Sequence, residues 1–130
     1  MQKDFDRWNK RKKKLDEIEF DKFVHEREVW WCALGINIGV EANGKHANFE
    51  RPVLVLQKFN KDSALVVPLT SHPKRNTYHW PFWHQGKLYA AVVSQIRLIS
   101  TKRLLRKMYR MDGRIFDGLK SLLVVMIEHF

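Results

Sequence analysis

"ERPVLVLQKFNKDSALVVPLTS" spans residues 50–71. Its two apolar runs, "RPVLVLQKF" and "SALVVPLT", flank the polar triplet "NKD". Val- and Leu-rich runs bounded by turn residues read as the two strands of a hairpin. If Asn60-Lys61 form the turn, antiparallel partners sum to 121 and Arg51 faces Thr70; a three-residue turn sets Arg51 opposite Ser71. Either register puts a guanidinium beside a hydroxyl at the open end of the hairpin.

Upstream, "EVWWCAL" (28–34) is a continuous apolar run, as in a strand covered on both faces. A loop with glycines and asparagines follows over residues 39–50, and loops of this length in small domains are often functional. Downstream come "YHWPFW", a turn at "HQGK", and "LYAAVVSQIRLI" as further strands. "STKRLLRKMYRM" reads as a helical turn and an edge strand whose cations discourage unwanted pairing. Asp112 suits the N-cap of a final helix. There Ile115, Phe116, Leu119, Leu122, Leu123, Met126, Ile127 and Phe130 recur at helical spacing as one wide apolar face. Residues 1–22 lack Gly and Pro, and six of the eight residues 7–14 are basic. With Phe5, Trp8, Leu15 and Ile18 as a stripe that Phe23 would continue, they are expected to form a basic helical extension preceding a domain over 23–130. The expected class is mainly β with α (α+β): a small curled antiparallel barrel with a packed C-terminal helix.

The 130 residues suffice for one core. The net charge of +10 suggests a polyanionic partner, RNA or DNA, or an acidic protein segment. A single cysteine, Cys32, precludes an intrachain disulfide, and its apolar neighbours suit a buried inert thiol. No signal peptide or membrane span is legible, so a soluble cytoplasmic protein is expected. No cluster with metal-site spacing is legible either, and no cofactor is expected.

A guanidinium can hold two phosphate oxygens through paired charge-assisted hydrogen bonds and stabilise the charge of a phosphoryl transition state. A threonine hydroxyl can donate to a phosphate oxygen or help move a proton. In RNA the 2′-hydroxyl is itself the nucleophile. The bland alternative is that Arg51 caps a loop and Thr70 ends a strand.

Several segments together resemble the MazF/PemK family of type II toxin–antitoxin endoribonucleases. They are a first strand; a Gly-x-Glu-x-x-Gly loop (Gly39, Glu41, Gly44); Arg51-Pro52 with the apolar strand to Leu56; Pro68-Leu69-Thr70; and a Gln-centred strand at Ser94-Gln95-Ile96. The resemblance implies a barrel of the Src-homology-3 type and a homodimer. It further implies metal-independent, sequence-selective cleavage of single-stranded RNA (mRNA) to a 2′,3′-cyclic phosphate, and a cognate antitoxin as partner. It puts the catalytic pair on Arg51 and Thr70, with Ser71 as a helper. The residues expected to contact RNA are Glu41, Asn43, Lys45, His46, His72, Lys74, Ser94, Gln95 and Arg97. Some family members carry Arg-x-Asp before the conserved Gln; here the stretch is Val92-Val93-Ser94, so that acid–base arrangement does not transfer. His46 as a general base competes with a solvated loop histidine, and the latter is favoured. Tyr78, His79, Trp80 and Trp83 can stack bases, but core and dimer-interface roles suit at least half of the tryptophans better. The alternative functions are a non-catalytic nucleic-acid-binding barrel and an interaction module for an acidic partner.

Overall fold

The computed structural model describes Arg7, residues 23–34 and residues 50–129. The helical extension expected over 1–22 lies, Arg7 apart, outside them, and the fold lends it no support. The loop expected over 39–50 also lies outside them except for Glu50.

Seven strands form one antiparallel sheet: β1 (Glu28–Ala33), β2 (Glu50–Asn60), β3 (Ser63–Thr70), β4 (His79–His84), β5 (Lys87–Val92), β6 (Arg97–Ser100) and β7 (Leu104–Arg110). The order is β4-β5-β3-β2-β1-β7, with β6 also paired to β3. The expected strand "LYAAVVSQIRLI" is broken: Val93–Gln95 is a short 3-10 turn, so the Gln-centred strand of the sequence reading is not a strand. The break lets β3 change partners. Ser63 to Val66 pair with β6, whereas Leu69 and Thr70 pair with β5.

The β2–β3 hairpin turns one residue later than expected. Asn60 pairs with Ser63, leaving Lys61-Asp62 as the turn. The Asn60 side-chain oxygen accepts from the Asp62 and Ser63 N–H groups at 2.8 and 2.9 Å, which fixes the turn without a glycine. Register shifts lie between Val55 and Gln57 and between Lys58 and Asn60. Each inserts one extra residue in β2. Beyond both, Val53 faces Pro68, so the partner sum is again 121. Carried two residues further, that register sets Arg51 across from Thr70.

Alternation along the strands sorts the apolar residues onto two faces. Leu54, Val67, Leu69, Phe82 and Ala91 pack with Phe116, Leu119 and Leu123 of the C-terminal helix α1 (Gly113–Glu128). Trp30, Cys32, Val53, Val55, Ala64, Val66 and Leu104 form a second core on the opposite face. Asp112 caps α1, accepting from the Arg114 and Ile115 N–H groups at 2.9 and 3.4 Å. The apolar face of α1 is narrower than its spacing suggests, since Ile127 is 67% exposed. Gly118 lets the helix approach Trp80: a Cβ there would lie 3.3 Å from the indole.

The sheet does not close into the expected barrel. Its hydrogen-bonded path ends at β4 and β7, and side chains bridge these ends. The His84 ring stacks on Tyr109 with centroids 3.7 Å apart and planes 10° apart. Burial, with a smaller contribution from Tyr89, pushes the Tyr109 phenol up to about 12, so it stays neutral at this seam. A cavity of about 250 Å³ lies beside the stack, lined in part by Val29, Leu69 and Tyr89.

Two buried carboxylates anchor β7. Glu50 receives a bidentate pair from Arg106 at 3.2 and 2.9 Å. Glu28 meets Lys107 Nζ at 2.8 Å and accepts from the His25 N–H and the Trp30 indole N–H. Arg106 also lies over the Trp31 ring at 5.1 Å. Two cations of the segment "STKRLLRKMYRM" therefore hold the sheet together.

Candidate active site

Arg51 and Thr70 belong to the face that α1 leaves uncovered. Arg51 has the parity of Val53 and Val55, and Thr70 that of Val66; all three valines point into the second core. The Arg51 Nε–H donates to the Leu69 carbonyl at 3.3 Å, tying the guanidinium across to the end of β3. Burial pushes the Arg51 pKa down from its ordinary value, yet a guanidinium keeps its charge throughout the working pH range. Thr70 is 5% exposed, and its hydroxyl oxygen accepts from the His72 N–H at 3.1 Å. That contact uses an oxygen lone pair and leaves the hydroxyl proton available to donate.

The loop after Thr70 carries Ser71, half-buried, with His72 and Lys74 exposed. Ser94 and Gln95 sit on the 3-10 turn, exposed and half-buried respectively. This turn is joined to the start of β4 by the Val93 N–H, which donates to the Tyr78 carbonyl at 2.9 Å. Arg97 is set further away. It pairs with Val66, four residues along β3 from Thr70, about 13 Å at the rise of an extended strand. Glu41, Asn43, Lys45 and His46 lie outside the described residues. Among the described residues, no group of three or more His, Cys, Asp or Glu side chains is placed to hold a metal ion.

The sequence reading weighed His79 only as a base-stacking ring; the structure adds it to this face. His79 opens β4 and faces Val92, while Pro81 faces Ala90, the partner of Thr70. Trp80 and Phe82 turn toward the helix-side core, so His79 turns the other way. Its Nδ1 lies 2.9 Å from Asn76 Oδ1, an oxygen that also accepts the Tyr78 N–H at 2.9 Å. The available signal was Asn76 three residues before His79, an Asx turn leading into a strand. Exposed rings of Tyr78 and Trp83 lie nearby in the chain, whereas Trp80 stacks against Phe82.

A guanidinium, a hydroxyl and an imidazole thus lie around the end of β3 and the start of β4, a combination of groups suited to a phosphodiester. The profile of the PemK-like, MazF-like toxins of type II toxin–antitoxin systems matches residues 25–127. The chain belongs to that family. Solved structures share its fold at low identity. MazF from Deinococcus radiodurans superposes with a TM-score of 0.68 at 16% identity, covering 85% of this chain and 99% of that one. An endoribonuclease from a mycobacterial species, in complex with its cognate antitoxin, has a TM-score of 0.62 at 12% identity, covering 82% and 97%. The Deinococcus radiodurans MazE–MazF structure gives 0.63 at 16% identity, covering 82% and 98%. No curated protein sequence matches the chain.

Proposed function

We propose that this toxin-family chain is an endoribonuclease that cleaves single-stranded RNA by attack of the 2′-hydroxyl on the adjacent phosphate. The products are a 2′,3′-cyclic phosphate and a 5′-hydroxyl. The observation that carries the reading is the Arg51 Nε–H donating to the carbonyl of Leu69, the residue before Thr70, at the end of the hairpin on the sheet face opposite α1. Arg51 binds the non-bridging oxygens and stabilises their growing charge. Thr70 donates to the phosphate and fixes its orientation, with Ser71 beside it. Because the nucleophile is the substrate's own hydroxyl, the reaction needs no metal-bound water. Lys74 supplies backbone attraction, and His72, Ser94 and Gln95 contact the flanking nucleotides; Arg97 reaches a more distant one.

The cellular partner is a cognate antitoxin whose acidic segment covers this face. The solved neighbour in complex with its cognate antitoxin supports that expectation. The working form is a cytoplasmic homodimer.

The decisive experiment incubates the protein with long end-labelled single-stranded RNA in EDTA, with Arg51→Ala alongside. Discrete fragments with cyclic-phosphate ends from the wild type alone support the reading. Salt-dependent binding without any product replaces it with a non-catalytic nucleic-acid binder.

A further inference from the structure

Ser94, on the turn beside the start of β4, is no general base, so the 2′-hydroxyl proton needs another acceptor. His79 is the imidazole that the sheet register brings to this end of β3. The ladder from Thr70 through Ala90 to Pro81 crosses two strand spacings, roughly 9.6 Å, and His79 lies two residues further along β4, about 7 Å. Thr70 and His79 thus share a parity on the sheet face opposite α1, their backbones roughly 12 Å apart.

The imidazole is also oriented. Asn76 Oδ1 is identified as the oxygen because it accepts the Tyr78 N–H. The ring nitrogen 2.9 Å away must therefore donate, so Nδ1 carries the proton and Nε2 holds the lone pair. The His79 N–H donates to the Asn76 carbonyl at 3.4 Å, which closes the turn beneath the ring.

We infer that His79 is the general base of this site, its Nε2 taking the 2′-hydroxyl proton while Asn76 acts as a positioning residue that fixes the tautomer. This inference rests on the endoribonuclease reading. The proton passes to Nε2, the 2′-oxygen–phosphorus bond forms, and the bond from phosphorus to the 5′-oxygen breaks. The leaving oxygen takes a proton from solvent, and the imidazolium returns its proton to solvent. Three influences keep the resting imidazole neutral. Burial comes first, then the charge of Lys74 from the β3–β4 loop and that of Arg51 from β2; all push its pKa below the usual value. Val92 faces it from β5, and the neighbouring turn offers the uncharged Ser94 and Gln95.

The test is single-turnover cleavage of one RNA in EDTA from pH 5 to 9, using wild type, His79→Ala, His79→Gln, Asn76→Ala and Arg51→Ala, with folding checked by circular dichroism. The wild-type rate should rise with pH through a midpoint below the ordinary histidine value. His79→Ala and His79→Gln should lose that acid limb and fall by about 10²–10⁴-fold. Asn76→Ala should be slower yet keep an acid limb. A folded His79 variant with the wild-type rate and profile overturns the assignment while leaving the nuclease reading intact, provided Arg51→Ala is inactive. Wild type that cleaves no RNA overturns both.

Discussion

Cations are used in opposite ways at two places on this sheet. On the β1–β7 side, Arg106 and Lys107 reach back to Glu50 and Glu28, carboxylates only 6% and 5% exposed. At the β3–β4 end, Arg51 donates to a neutral carbonyl and shares its surroundings with Lys74 and His79. Opposite charges in the first region neutralise one another and hold an edge strand. In the second, the charges of Lys74 and Arg51 both act on His79, a positive field that attracts anions. A net charge of +10 alone does not separate these uses; the positions of two buried glutamates do.

The sharpest way to break the comparison is Arg51→Ala. Cleavage should fall by about 10³-fold, roughly 4 kcal/mol of transition-state stabilisation, with little change in melting temperature. A large loss of stability with activity retained per folded molecule would move Arg51 to the structural side. Glu50→Ala should do the reverse. Strand β7 loses its bidentate anchor, and denaturant titration should show a loss of about 2 kcal/mol, reduced from the buried-pair range because Arg106 is half exposed.

Acid titration sharpens the same contrast. Burial pushes the Glu28 carboxyl up, but hydrogen bonds from Lys107, the His25 backbone and Trp30, with the Lys107 charge, outweigh it. The net result is a folded pKa below the ordinary value of 4.5. The unfolded chain therefore binds the proton more readily. The stability this group contributes is complete above its ordinary pKa and disappears as pH falls through the lower folded value. In Glu28→Gln that part of the acid dependence should vanish from melting curves. The smallest effect is expected at Gly86, whose φ of +76° in the β4–β5 turn favours glycine; Gly86→Ala should cost about 1 kcal/mol and leave cleavage unchanged. A change in cleavage there would mean that the hairpin bearing His79 communicates with the site from its far end.

Much of the framework was legible in the chain. The continuous apolar runs announced β1, β2 and β3, and Asp112 announced α1, because local pattern and capping chemistry determine these elements. Of the two registers the sequence allowed, the observed partner sum at Val53 and Pro68 is that of the one setting Arg51 toward Thr70, although the turn itself comes one residue later. Two bulges in β2 restored the register, and extra residues of this kind carry no local signature that a strand pattern reveals. The break at Val93–Gln95 was hidden for a related reason: an apolar run looks the same whether it continues or bends to let a neighbouring strand change partners.

By itself, then, the sequence determined the element types, the basic balance and the guanidinium–hydroxyl pair, all set by short-range periodicity and by chemistry within one hairpin. Tertiary structure decided that the sheet stays open and is bridged by His84 on Tyr109. It also assigned Arg106 and Lys107 to buried carboxylates and brought His79 onto the face of Arg51 and Thr70. Each of these depends on which strands lie side by side, and that is settled only when distant segments bury their apolar faces together.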